Sequence, residues 1–362
     1  MKILHIVPAL ETGGVETGTI DLAISLKRLG EEIIVISSGG MLVKDLEDNG
    51  ITHIKLPVHS KSPLSFSVIP KVASIIKSKK IDLVHASSRM PAWVGFSACK
   101  FTKTPFITSC HGFYSNHFLS RVMGWGDLVM VISKTIGKRM VEDFDVPEEK
   151  IRLVYRGVNL SKYRYDADKY DIEKDFFKVI NIGRLTPIKG QYEFIKAMKK
   201  VSDKIENVES WIVGGPEKGK KNYLKKLQEL VKSLGMENRV KLLGQRSDIQ
   251  DLLLKSDCLV LSTNVPEGFG RTIIEAGAVG TAVCASGTGG IQEIINDGFN
   301  GLLFPPKDVE KMADAIIKML SERSLRKQCA ANLRRKVEDN FTLDKMTRQT
   351  LAVYREAINK TQ

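Results

Sequence analysis

Two glutamates eight residues apart, Glu267 and Glu275, bracket a glycine-rich stretch reading Pro266-Glu267-Gly268-Phe269-Gly270-Arg271-Thr272. It follows an apolar run at 258–261 and opens a segment of helical character. Gly268 and Gly270 let backbone approach a ligand closely, and the free N–H groups of a helix start attract phosphate. Carboxylates accept hydrogen bonds from vicinal hydroxyls, so one glutamate could hold a sugar and the other a ribose. The plain alternative is a helix with a glutamate in its first turn, favoured by the dipole. A second stretch, Gly183-Arg184-Leu185-Thr186-Pro187-Ile188-Lys189-Gly190, sets two cations five residues apart beside a glycine turn. Fixed positive charges so placed suit a diphosphate.

The first half offers fewer such residues. Gly13 and Gly14 follow the first apolar run, between Glu11 and Glu16. They do not form a dinucleotide fingerprint: the glycines are adjacent, and the second run ends in Ser37-Ser38-Gly39-Gly40 with no acidic residue for a ribose. His111 stands directly after an apolar run and before Gly112. The other five histidines show no ligand spacing, and no metal site is read from them. Ser133, at the end of the run 128–132, is most simply a helix N-cap.

Together these segments resemble the retaining glycosyltransferases of the group 1 type, glycosyltransferase family 4. Their fold is α/β of the GT-B kind: two facing Rossmann-like, doubly wound domains with a cleft between them. The resemblance implies that Arg184 and Lys189 neutralise the diphosphate of a nucleotide-sugar donor. It implies that Glu267 positions the donor sugar, Glu275 the ribose, and that His111 hydrogen-bonds sugar hydroxyls. Donor contacts then fall to Gly13, Gly14, Gly183, Gly214, Gly215, Gly268, Phe269, Gly270, Arg271 and Thr272, and acceptor contacts to Glu16, Phe113 and Ser133. Gly287-Thr288-Gly289-Gly290 and Asn300-Gly301-Leu302 extend the likeness over nearly the whole chain. Two departures stand out: Gly215 directly precedes Pro216, and Tyr155-Arg156-Gly157-Val158-Asn159 replaces the family's usual Asn-Gly-Val-Asp.

Elements that would position these residues follow from periodicity. Short β-branched runs at 2–7, 32–37, 53–56, 83–85, 106–109 and 128–132 alternate with amphipathic stretches such as 19–29 and 69–78. A polar stretch at 161–174 reads as a linker, after which runs at 179–182, 209–213, 240–243, 258–261 and 282–285 restart the alternation. Strands alternating with helices imply parallel sheets, and ligands bind beyond the carboxyl ends of such strands. The expected division is an acceptor-side domain at 1–165 and a nucleotide-sugar-binding domain at 166–342, with a final helix in 343–362 crossing back to the first. Loops 60–66 and 113–124 would choose a glycan, lipid-carrier or small-molecule acceptor, with Phe113, Tyr114, Phe118, Leu119 and Trp125 as an apolar approach or as buried packing.

Composition narrows the field. With 43% hydrophobic and 27% charged residues in 362, the chain is not disordered and is long enough for two cores. The formal charge of +13 favours an anionic partner. The excess is shared by both halves without the basic, aromatic-interleaved stripe of nucleic-acid binders, so no nucleic acid is expected. Lys71, Lys77, Lys79 and Lys80 lie on or beside one amphipathic stretch, a solvated face or a contact for an anionic membrane surface. The five cysteines show no C-x-x-C spacing and suit a reducing compartment. A cytoplasmic protein, or one attached to the inner face of the cell membrane, is the expectation. No cofactor is expected beyond the donor itself, no divalent metal, and a role in cell-envelope or polysaccharide synthesis. A nucleotide-sugar epimerase and a non-catalytic nucleotide-sugar binding protein are the alternatives; a nicotinamide-dependent oxidoreductase fails on the missing fingerprint.

Overall fold

The computed structural model describes all residues except 12, 60–66, 172–173, 175, 217–221 and 362; the acceptor-choosing loop expected at 60–66 therefore lies outside the described residues. The chain divides into two compact units, Met1–Asn159 with Thr342–Gln362, and Leu160–Phe341. The division falls a few residues before the 165/166 boundary read from the sequence, because the two chain crossings are tied together. Val158 bridges to Thr342, Leu343 N–H donates to the Val158 carbonyl at 2.9 Å, and a side chain at Gly157 would come within 2.4 Å of the Thr342 oxygen.

The first unit holds seven parallel strands: β1 (Lys2–Ile6), β2 (Glu32–Ser37), β3 (Thr52–Lys55), β4 (Leu83–Ala86), β5 (Phe106–Cys110), β6 (Leu128–Val131) and β7 (Ile151–Leu153), in the order β3-β2-β1-β4-β5-β6-β7. The second holds six: β8 (Phe177–Ile182), β9 (Val208–Val213), β10 (Val240–Gly244), β11 (Cys258–Leu261), β12 (Ala282–Ser286) and β13 (Leu302–Phe304), in the order β10-β9-β8-β11-β12-β13. Both are doubly wound. Their central strands, Ile33-Ile34-Val35-Ile36 or Cys258-Leu259-Val260-Leu261, are buried along their length because helices cover both faces. That is why they read as unbroken apolar runs. Strand order reverses between β1 and β4 and between β8 and β11, the switch points beside which open α/β sheets bind ligands.

The stretch read as a linker is no free one at Lys169 and Tyr170. Tyr170 is buried, its hydroxyl donating to the Asp257 carbonyl at 2.9 Å and accepting from Ala282 N–H at 3.0 Å. Lys169 donates to the Leu253 carbonyl and to Thr281 Oγ1, and burial lowers its pKa to about 7. Backbone groups at the starts of β11 and β12 thus find partners in residues whose polarity suggested solvent. All five cysteines are buried and free, and burial raises those of Cys99 and Cys110.

The last helix, Leu343–Thr361, packs against the helix Gly14–Arg28 and completes the core of the first unit with Met346, Leu351, Val353, Tyr354 and Ala357. Beneath it lies a polar knot. The Tyr354 hydroxyl meets His85 Nδ1 at 2.8 Å, His85 Nε2 meets the Ser109 hydroxyl, and His5 stacks on His85 at 4.2 Å while bonding Ser87 at 2.7 Å. Tyr354→Phe keeps the packing but strands a buried imidazole nitrogen. It should cost about 1–3 kcal/mol in thermal unfolding, and a loss below the error of the measurement would contradict the bond's role.

Burial is the main cause lowering the His5 pKa to about 3 and that of His85 well below its usual value. The unfolded chain therefore binds protons first as pH falls through 6.5. Stability is whole above that pH and drains away between 6.5 and about 3. From His5 alone, lowering pH from 7 to 5 should cost about 2 kcal/mol, read as a fall in melting temperature; an unchanged midpoint would contradict it.

Candidate functional site

In the second unit, the loops after β8 and β11 meet at the switch point and are sewn together. Gly190, with φ +68°, brings its backbone against the Ser262 carbonyl so closely that a Cβ would sit 1.8 Å from that oxygen. Only glycine fits there. Around the contact, Ser262 Oγ donates to the Lys189 carbonyl at 2.9 Å, while Thr263 Oγ1 and Asn264 N–H donate to the Ile188 carbonyl at 3.0 and 2.8 Å. Asn181, buried on β8, donates to the Val260 carbonyl and to Ser262 Oγ, holding the strand ends level.

This seam sets the charges. Lys189 Nζ lies 2.5 Å from Glu267 Oε2, both about three-quarters covered. The two residues come from separate motifs 78 positions apart, and the fold makes them neighbours. Arg184, in the same loop as Lys189, is exposed and has no carboxylate partner among the described residues. Its own carbonyl accepts from Gln191 Nε2 at 3.0 Å, which fixes the loop's curvature. The loop therefore offers one cation balanced by Glu267 and one unbalanced.

Glycine turns complete the rim. Gly214 N–H donates to the Gly244 carbonyl, and a Cβ on Gly214 would lie 1.9 Å from the Gly183 oxygen, so the turns after β8 and β9 touch through backbone. Gly215 accepts from Leu185 N–H at 3.0 Å. Gly270, with φ +106°, starts the helix Arg271–Val279 without a side-chain cap, and a helix start of this kind is a setting that favours an anion. Gly268 is locked in place by Gly290, whose Cβ would strike its carbonyl. Gly289 packs as tightly on Glu267, and the Glu267 carbonyl accepts from Gly290 N–H at 2.8 Å. The glycines of 287–290 thus support the Glu267 turn. Glu275 pairs with Arg271 at 2.8 Å one turn back, and both are mostly buried.

Phe269 corrects the sequence reading. Its ring is buried edge-on against Phe341 at 5.4 Å, so it anchors the helix start in the core and leaves its side chain no part in donor contact. An aromatic residue between two glycines resembles a ligand platform in sequence, but here the glycines supply the space and the ring fills the interior.

In the first unit, Gly13 and Gly14 lead into the helix Gly14–Arg28, and the Glu16 carboxylate folds back over Gly13. Arg156, buried although charged, donates to the Gly14 carbonyl at 2.9 Å and the Val15 carbonyl at 3.3 Å. Sequence reasoning passed over Arg156, treating it only as a departure from the family pattern. Its position in a Tyr-Arg-Gly turn just after a short strand was the available signal. His111 stands at the end of β5 with both ring nitrogens buried and without hydrogen-bond partners among the described residues. Burial foremost, then Arg156 and His5, hold its pKa well below the ordinary range, so it is neutral at physiological pH. A cavity of about 20 Å³, room for one water, lies among His5, His85, His111, Arg156 and Thr350.

Of the acceptor candidates, Phe113 is half-buried under the Arg139 guanidinium at 5.4 Å. Ser133 is withdrawn as an acceptor residue: it is fully buried, and its hydroxyl accepts from Ile136 N–H at 3.1 Å as the N-cap of Lys134–Phe144. Among the described residues no group of three or more histidines, cysteines or carboxylates is placed to hold a metal ion, and no helix is long and apolar enough to cross a membrane.

Residues 164–336 match the sequence model described as glycosyl transferases group 1, and residues 12–162 match that of glycosyltransferase family 4. The crystal structure of a glycosyltransferase from Rickettsia africae is 31% identical and superposes with a TM-score of 0.86 over 99% of this chain and 98% of its own. Anabaena HepE, crystallised with UDP-glucose, is 25% identical with the same TM-score over 99% of this chain and 100% of its own. N-acetyl-α-D-glucosaminyl L-malate synthase of Bacillus anthracis is 24% identical over 97% of this chain and 95% of its own length. Two parallel, doubly wound sheets with these matches make the chain a GT-B glycosyltransferase of the group 1 type, in glycosyltransferase family 4.

Proposed function

We propose that this glycosyltransferase moves a sugar from a nucleoside diphosphate donor to a hydroxyl, retaining the anomeric configuration and using no divalent metal. The observation that carries the reading is the Gly190–Ser262 seam, which holds Lys189 against Glu267 and leaves Arg184 unpaired in the same loop. When the glycosidic bond to phosphate breaks, negative charge gathers on the leaving β-phosphate. Lys189 and the uncapped helix start at 270–272 are held beforehand to receive it, with Arg184 in the same loop, so little reorganisation opposes the step. These protein cations take the place that a metal ion fills elsewhere.

Glu267 then serves two partners. It shares the Lys189 ammonium, and its remaining lone pairs accept from donor-sugar hydroxyls. Glu275, restrained by Arg271, accepts from the ribose. Neutral His111 offers its ring nitrogens to sugar hydroxyls in the first unit. A hydroxyl nucleophile attacks the anomeric carbon on the face the phosphate leaves, and the departing phosphate oxygen accepts its proton. No protein carboxylate is required as a covalent nucleophile.

UDP-glucose held by HepE makes uridine the first base to try, and the malate synthase shows that a relative's acceptor can be a small hydroxy acid. For this chain the acceptor is read as a glycan, lipid-carrier or small-molecule hydroxyl. The setting is cell-envelope or polysaccharide synthesis at the inner face of a membrane. An epimerase would convert donor in the absence of acceptor; a transferase leaves it nearly untouched.

A thermal-shift screen of UDP-, GDP-, ADP- and TDP-sugars in chelator should give one base that raises the melting temperature by mass action. Arg184→Ala should then lower kcat by roughly a hundredfold, near 3 kcal/mol, with the fold intact. Near-native turnover in that variant would remove Arg184 from the mechanism.

A further inference from the structure

The basic excess of the first half is concentrated in one part of it. Residues 68–127 carry eight Lys and Arg against two Asp and Glu. Both acids are engaged by backbone: Asp82 accepts from Lys2 N–H at 2.7 Å and Asp127 from Phe106 N–H at 2.8 Å. The cations Lys77, Lys100, Lys103 and Arg121 are exposed and have no carboxylate partner among the described residues. By contrast Lys138, Lys199, Lys225 and Lys360 each face a carboxylate across one helical turn.

The same segment exposes aromatic surface. The helices Ile69–Ser78 and Arg89–Thr102 pack side by side, and the turn Val122–Gly124 joins the short helix Phe118–Arg121 to the second of them. On this layer Trp93 meets Trp125 at 4.9 Å and Phe118 at 5.5 Å, and Lys100 Nζ lies 5.2 Å over the Phe96 ring. Phe118 is 67% exposed, Phe101 73%, Leu119 41% and Trp125 37%. Burying these rings inward is blocked, because Val122 and Met123 beneath them already fill the core against β5.

We propose that this face docks the protein on an anionic lipid bilayer, with Phe118, Leu119 and Trp125 entering the interface and Lys77, Lys100, Lys103 and Arg121 meeting the headgroups. Charge complementarity selects that occupant. Eight cations against two carboxylates make a predominantly positive field that matches a surface of uniform negative charge, and amphipathic rings beside lysines are what the headgroup–hydrocarbon boundary accommodates. The inference deepens the membrane-surface reading above by naming the residues that would make the contact.

The test is co-sedimentation of the full chain with vesicles of phosphatidylcholine, with and without phosphatidylglycerol, no sugar donor being present. Binding should require phosphatidylglycerol, weaken as salt is raised, and shift the tryptophan emission to the blue. The blue shift should vanish in Trp125→Phe/Trp93→Phe, which leaves only Trp211 in the second unit. Lys100→Glu/Lys103→Glu/Arg121→Glu should reduce partitioning roughly tenfold or more, and Phe118→Ser/Leu119→Ser should reduce it with the charge kept. Lys225→Glu/Lys311→Glu, in the second unit, should leave it unchanged, and circular dichroism should show every variant folded. Absence of vesicle binding, equal loss in the second-unit variant, or a wild-type dimer that Phe118→Ser/Leu119→Ser disperses would overturn the proposal. None of these results bears on donor binding, which the nucleotide screen reads independently.

Discussion

The close contact between Gly190 and the Ser262 carbonyl governs the second unit. Two loops that leave adjacent strands in opposite senses would ordinarily splay, and the cations they carry would swing on flexible stems. Because position 190 carries no side chain, the backbone of one loop rests on the other and three hydrogen bonds close around it. Lys189 is thereby committed to Glu267 before any ligand arrives. Catalysis by charge stabilisation depends on such prior ordering, since a cation that must be reoriented during the reaction loses much of its advantage. The glycines at 289 and 290 do the same for the turn that carries Glu267, so backbone contact, not side-chain packing, builds the rim.

The first unit solves a different problem. Its central strands carry imidazoles, His5 on β1 and His85 on β4, where apolar residues would be cheaper to bury. They persist because three of their four nitrogens are matched: Ser87 and Ser109 take one each, and Tyr354 from the returning helix takes another. The last helix is therefore part of the fold of the first unit. His111, directly after β5, has both ring nitrogens without partners among the described residues, beside the small cavity that His5 and His85 also line.

Much of this was legible in the residues. Doubly wound sheets cover their strands on both faces, so β2, β11 and their neighbours announced themselves as apolar runs. Strands β7 and β13, three residues each, were too short for any run to register. The Arg184/Lys189 and Glu267/Glu275 motifs could be seen separately, but their meeting could not, because it depends on a glycine contact between residues 72 apart in sequence, Gly190 and Ser262. Polarity misled at 161–174, where Lys169 and Tyr170 supply partners to orphan backbone groups, and at Arg156, whose charge is satisfied by carbonyls at the far end of the unit's sequence. Phe269 misled in the other direction. Its glycine neighbours pointed to a ligand, and only packing against Phe341 shows that the ring belongs to the core.

Capture of a pyrophosphoryl group by the carboxy-terminal unit can be measured without knowing the sugar or the acceptor. Calorimetric titration in chelator should compare UDP with UMP, or the matching pair for whichever base stabilises the chain most. A site built for a diphosphate should bind the diphosphate at least about tenfold more tightly, some 1.4 kcal/mol, and the preference should shrink in Lys189→Met. Equal affinity for the monophosphate, in the wild-type chain, would contradict the account.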